Sequence, residues 1–164
     1  MNRKIKNIIN ITAFLVCIGL INIAGQNIEI EIRGMNAFTF ILIVAVLLQI
    51  IFFIPSFLLK TEKYYDLVGS LTYIATVSLA YFSVENKTMI DSIIYFYVMI
   101  WASRLGIYLF TRVRNVGKDV RFEKAKRHFF YFLQYWMGQA LWVSLTACAA
   151  IIAILSPEED TLPV

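Results

Sequence analysis

Charge is scarce in this chain: 16% of its 164 residues are Asp, Glu, Lys or Arg, against about 25% in an ordinary soluble domain. Metal-ligating side chains are scarcer, with a single histidine, His128, and two cysteines. No Cys/His spacing resembles a zinc or haem site, so no metal is expected. Cys17 and Cys148 both fall inside apolar runs, where a packed thiol is the default reading, and a secreted disulfide scaffold is excluded. There is no Walker loop, no Gly-x-Gly-x-x-Gly pattern, no Gly-x-Ser-x-Gly elbow and no repeat of fixed period.

What is present is apolar. Hydrophobic residues make up 60% of the chain and the mean hydropathy is +0.71, which excludes a disordered chain and a cytosolic enzyme. The apolar residues come in blocks of about 20, the length that crosses a bilayer as a helix. They are too long and too unalternating for barrel strands. Five spans are predicted, at residues 5–24, 38–59, 64–84, 90–110 and 129–155, within a single membrane domain covering 1–164. The fold class is therefore all-α, a polytopic helical bundle. The first span follows Met-Asn-Arg-Lys-Ile-Lys, a start that also suits a secretory signal, but Asn22-Ile23-Ala24-Gly25 fits an Ala-x-Ala cleavage site poorly. A retained anchor is expected.

Basic residues set the orientation. Arg3, Lys4 and Lys6, then Lys60 and Lys63, then seven residues between spans four and five lie on one side, and only Arg33 and Lys87 on the other. That asymmetry places the N-terminus and the basic loop 111–128 in the cytoplasm and the C-terminus outside, in the inner (cytoplasmic) membrane. The outer segments carry Glu29, Glu31, Glu85, Glu158, Glu159 and Asp160. The net charge of +4 is thus a sum over two unlike faces and does not indicate nucleic-acid binding; membrane lipids are the expected partners.

Several polar residues interrupt the spans. Arg104 lies about 9 Å from the inner end of span four, where a charge either snorkels or needs a partner. Tyr97, Trp101 and Tyr108 share its face by helical offset. Asp66, at the inner start of span three, suits either a helix-capping acid or one stripe with Gly69, Ser70 and Tyr73 facing the bundle interior. An ion pair between Asp66 and Arg104 fits their common leaflet. Gln49, Gln134 and Gln139 read as interhelical hydrogen-bonding residues, with Gln139, Trp142 and Thr146 at helical offsets on one face. Tyr131, Tyr135 and Trp136 read as interface anchors, and Pro55 as a kink near the inner end of span two. In the basic loop, Gly117 marks a turn and Asp119 suits the cap of a helix beginning near Val120. Arg121 then falls on that helix's first turn, an arrangement suited to phosphate.

Two stretches together resemble a known family. Asp66-Leu67-Val68-Gly69-Ser70-Leu71 is similar to the Asp-Leu-x-Gly-Ser-Leu segment of domain-of-unknown-function family 1295, bacterial membrane proteins related to the steroid 5-alpha-reductase group. Trp101 to Arg112 resembles its Trp-x-x-Arg-Leu-Gly-x-x-Leu-x-x-Arg motif. Lys118-Asp119-Val120-Arg121-Phe122 and Gln139-Ala140-Leu141-Trp142 match further elements in the same order. The resemblance implies a membrane reductase that takes hydride from NADPH and reduces an activated C=C bond of a lipid or steroid-like substrate. It implies Arg112 and Arg121 for cofactor phosphate, with Asp119 positioning Arg121 or the cofactor. Asp66 with Arg104 would be an internal polar pair, Trp101, Gln139 and Trp142 would line a packing surface or cavity, and Tyr73 or Tyr108 would donate a proton to the developing enolate. Full-length family members continue through several more spans and a Tyr-Ser-Arg-His-Pro-Asn-Tyr-like cofactor segment. The expectation is therefore an N-terminal portion, incomplete as a catalyst unless a partner chain supplies further helices. A non-catalytic scaffold or lipid-binding partner, and a lipid methyltransferase, are the rival expectations.

Overall fold

The computed structural model describes residues 3–116 and 119–156. Gly117, Lys118 and the acidic residues Glu158, Glu159 and Asp160 lie outside the described residues. Five helices form: α1 (Arg3–Ile23), α2 (Ala37–Leu58), α3 (Tyr65–Ser83), α4 (Met89–Val116) and α5 (Phe129–Leu155). They agree with the five expected spans to within two residues at every end but one. Helix α4 continues six residues past the expected end at 110, so the first third of the basic loop is helical.

Helices α1, α2, α4 and α5 are long and apolar enough to cross a membrane. Helix α3 is the richest in hydroxyl side chains, and its place explains why it can be. It packs against α2, α4 and α5, so its hydroxyls meet protein, and several are satisfied within the helix. Thr72 Oγ1 donates to the Val68 carbonyl (2.7 Å), Thr76 Oγ1 to Thr72 (2.8 Å) and Ser83 Oγ to Leu79 (2.6 Å). Helix α1 is the opposite case, with only Asn7 and Ile18 buried. Its outward Ile5, Ile9, Val16, Leu20 and Ile23 are all more than half exposed, a surface suited to lipid tails and not to water.

Small residues bring α3 close to its neighbours. A Cβ on Gly69 would lie 2.4 Å from Gln139 Nε2 of α5, and one on Gly106 of α4 would lie 2.8 Å from Ser70 Cβ. Between α2 and α3, buried Gln49 donates from Nε2 to Thr72 Oγ1 at 2.9 Å. Pro55 sits inside α2, as expected.

The segment expected to be a plain loop before α2 contains a two-residue hairpin, β1 (Glu31–Ile32) with β2 (Met35–Asn36), turned by Arg33 and Gly34 at φ of 55° and 76°. Asn36 ties it down, donating to the carbonyls of Gly25 (3.1 Å) and Ile28 (2.8 Å) while capping α2 through Thr39 N–H. Before α4, Thr88 and Asp91 exchange side-chain to backbone hydrogen bonds as a capping box.

Candidate functional site: a cleft between three helices

On α3 the residues at spacings of three and four, Asp66, Gly69, Ser70 and Tyr73, line one side of a cleft of about 530 Å³. This is one of the two roles the sequence left open for Asp66, which also lies in the first turn of α3. Helix α4 supplies Trp101, Leu105 and Leu109 at intervals of four, and α5 supplies Gln134, Tyr135, Gly138, Gln139, Trp142 and Val143. Phe14 of α1 and Arg121 of the basic loop complete the wall. The volume falls in the range of small-molecule sites. Asp66 and Tyr73 are seven residues apart, so the cleft runs about 10 Å along α3 from a charged mouth to an aromatic floor.

The floor is a three-helix junction. The Tyr73 ring meets Trp101 edge-on at 5.0 Å. Its hydroxyl is hydrogen-bonded to Thr146 Oγ1 of α5, and Thr146 in turn reaches the Trp142 carbonyl at 2.7 Å. Tyr73 is 5% exposed, whereas Trp101 and Trp142 are 49% and 64% exposed and stand at the rim. Gln134 and Gln139 each keep a buried amide oxygen without a hydrogen-bond partner.

The mouth is held by the basic loop between α4 and α5, which packs onto the bundle. Phe122, 1% exposed, is clamped by Tyr65 (4.7 Å between rings), Tyr135 (4.9 Å) and Phe132 (5.9 Å). Tyr65 is itself fixed by a 2.9 Å hydrogen bond from its hydroxyl to the Tyr135 carbonyl. Glu62, 4% exposed, accepts from Lys126 Nζ (2.6 Å) and from Asp119 N–H (3.2 Å), anchoring the loop from both ends. With Phe122 docked, Arg121 stands at the cleft. Asp119 accepts a forked pair from Arg121 Nε (2.9 Å) and Nη2 (2.5 Å) and caps the short turn through Arg121 N–H (3.0 Å). Those side-chain bonds hold the Asp119 carboxyl below the usual carboxylate range against the opposing effect of its partial burial, and they hold Arg121 more firmly protonated.

Two expectations need correction. Asp66 does not pair with Arg104: its carboxylate lies 3.6 Å from Arg112 Nη2 and 3.6 Å from Arg121 Nη2. Arg104 is exposed on the outer side of α4 with Ser103, Ile107, Tyr108 and Thr111, and has no carboxylate partner among the described residues. The physical reason is rotation about the helix. Residues 101, 105 and 109 carry the cleft face, and 104 and 108 fall just beyond its edge, sharing with Trp101 and Leu105 a shallow groove outside the cleft. Second, the helix expected near Val120 is only a 3-10 turn, Val120–Phe122, too short to present an anion-binding helix terminus.

The structure thus brings together Asp66, Tyr73, Trp101, Arg121, Gln139 and Trp142 in the cleft, with Arg112 and Asp119 at its mouth. It leaves Arg104 and Tyr108, 65% exposed, outside. Glu62 and Tyr65, which the sequence reading did not single out, belong to the site as well, and so do Gln134 and Tyr135, expected instead as an interhelical hydrogen-bonding residue and an interface anchor. For Glu62 a signal exists: it is one of few acids among the strongly basic segments that flank α3 and α4.

Residues 52–164 match the family described as a protein of unknown function, DUF1295. The chain belongs to the DUF1295 family. The match takes in α3, α4 and α5, and so nearly the whole cleft, while α1 and most of α2 precede it. No curated protein and no solved structure matches the chain.

Proposed function

We propose that this DUF1295 protein binds an amphipathic lipid or steroid-like enone in the α3–α4–α5 cleft, within the cytoplasmic membrane, with Tyr73 at the ligand's carbonyl. The supporting observation is the cleft itself: about 530 Å³ between membrane helices, apolar along Trp101, Leu105, Leu109 and Val143, with a buried phenol at the floor. The Tyr73–Thr146–Trp142 chain suits a proton donor. If Tyr73 turns its O–H to a ligand carbonyl, Thr146 can leave the Trp142 carbonyl and donate to the phenol oxygen instead. The phenol then meets a developing enolate as a hydrogen-bonded acid. Tyr108, on the outer side of α4, has no comparable setting.

The residues expected to hold the phosphates of NADPH, the hydride source of the resembled reductases, are engaged with carboxylates, which weighs against that cofactor here. Arg121 is forked onto Asp119, and both Arg112 and Arg121 lie 3.6 Å from Asp66. Two guanidiniums therefore face two carboxylates, and a multiply charged phosphate would meet a neutral cluster with its best fork already filled. The reading for this chain is ligand binding, with any reductive chemistry dependent on a cofactor-holding part beyond these residues, such as a partner chain.

The test is a titration of purified protein in detergent with a polycyclic enone, followed by tryptophan fluorescence at the cleft rim, and a parallel titration with NADPH. Saturable enone binding that weakens about three- to tenfold in Tyr73→Phe is expected, the effect of one hydrogen bond, with no saturable NADPH binding. Enone affinity unchanged by Tyr73→Phe would overturn the cleft assignment. NADPH binding that disappears when Arg112 and Arg121 are both replaced by Gln would overturn the case against the cofactor.

A further inference from the structure

We infer that the ligand of this cleft carries an uncharged hydroxyl group about 10 Å from the end that meets Tyr73, and that Asp66 accepts its hydrogen bond. The inference rests on the ligand-binding reading above and adds the chemistry of the ligand's other end.

The mouth holds a carboxylate with unused acceptor capacity. Asp66 is 12% exposed at its side chain and lines the cleft, yet its two cations stand off at 3.6 Å, beyond the length of an N–H···O hydrogen bond. No donor bonds its carboxylate among the described residues. Arg121 spends its short bonds on Asp119. An ionised carboxylate partly removed from water, in a wall that also includes Leu105 and Leu109, is costly unless donors reach it. A ligand donor at this level would supply what the protein does not.

Charge decides which donor. Among the described residues at the mouth, Asp66 and Asp119 balance Arg112 and Arg121, so that cluster is neutral before a ligand arrives. An ammonium head would add a third cation within reach of two guanidiniums. A phosphate or carboxylate head would sit against Asp66 itself. An alcohol adds no charge and donates to Asp66, and its own oxygen can accept from Arg121 in return.

Spacing completes the picture. Asp66 and Tyr73 lie on one stripe of α3, seven residues and about 10 Å apart. A rigid apolar body of that length with a carbonyl at one end and a hydroxyl at the other would satisfy both. Gly69 and Gln139 would flank its middle, with Trp101 and Trp142 beside its carbonyl end.

The experiment uses the full chain in detergent and three probes that share one rigid polycyclic enone body. They carry at the far end a hydroxyl, a methyl ether or a trimethylammonium group. The hydroxyl probe is expected to bind at least tenfold tighter than the ether, the scale of a hydrogen bond to a charged acceptor, and the ammonium probe no tighter than the ether. Asp66→Asn is expected to shrink the hydroxyl-to-ether ratio to below about threefold while the ether's own affinity changes little. The comparison of probes on the wild-type protein stands even if that variant fails to fold. Equal binding of hydroxyl and ether, both still weakened by Tyr73→Phe, would overturn this inference and leave the cleft assignment intact. Tightest binding by the ammonium probe would also overturn it. Failure of every probe to bind would overturn both.

Discussion

Single side chains decide the chemistry at the mouth of the cleft, and Asp119 is the most exposed to test. Its carboxyl ionises more readily in the folded loop than in the unfolded chain because Arg121 bonds it. A group of that kind stabilises the fold fully above the ordinary Asp value of about 3.9, and the contribution fades as pH falls through the lower folded value. Hydrogen-exchange protection of the Arg121 amide, which donates to Asp119, is expected to be flat between about pH 7 and 5 and to fall below about pH 4, with Asp119→Asn removing the dependence. The size is modest, under about 1 kcal/mol, since the Arg121 side chain is 54% exposed. Arg104 is the contrasting residue. It is unpaired among the described residues and outward-facing, so Arg104→Leu is expected to change thermal stability by no more than about 0.5 kcal/mol in the destabilising direction and to leave enone affinity unaltered. A loss of several kcal/mol would show that Arg104 has a buried partner after all.

At the scale of elements, the sequence carried most of what the bundle needs. Hydropathy located the five helices closely because lipid forces each span to be helical and about 20 residues long. It missed the extension of α4 to Val116, since Thr111, Arg112, Arg114 and Asn115 are as hydrophilic in a helix as in a loop. It also missed the small hairpin at Arg33-Gly34, which depends on Asn36 bonding back to Gly25 and Ile28. The interior stripe of α3 was legible from spacing, as one of two roles open to Asp66. The partner of Asp66 was not, because depth in the membrane fixes a leaflet but not a helix rotation, and Arg112 lies two turns along from Arg104. Close approach is the other element-scale device. A Cβ at position 106 would press on the short, unyielding Ser70 side chain, whereas one at 69 would press on the movable end of Gln139. Gly106→Ala is therefore expected to destabilise by about 1–3 kcal/mol, and Gly69→Ala by less, with detergent-solubilised thermal melting as the measure. The reverse order would contradict the assigned α3–α4 and α3–α5 packing.

Taken as a whole, the molecule is a bundle in which a hydroxyl-rich helix, α3, packs against α2, α4 and α5, and a cleft is left between α3, α4 and α5. The distribution of Lys and Arg that orients the chain also supplies the loop that closes the cleft's inner end. Glu62 and Phe122 turn that loop from a solvated basic segment into part of the wall. The family match covers this half of the chain and not α1, which agrees with a site built from α3 to α5. The most direct measurement is photo-crosslinking of the full protein in membranes with a polycyclic enone carrying a diazirine, and mapping of the labelled residues. The account expects adducts concentrated on Tyr73, Trp101, Leu105 and Trp142, competed away by excess unlabelled enone. Adducts spread without competition over the outward Leu47, Ile51 and Ile54 of α2 would mean that the enone simply dissolves in the surrounding lipid, and would contradict it.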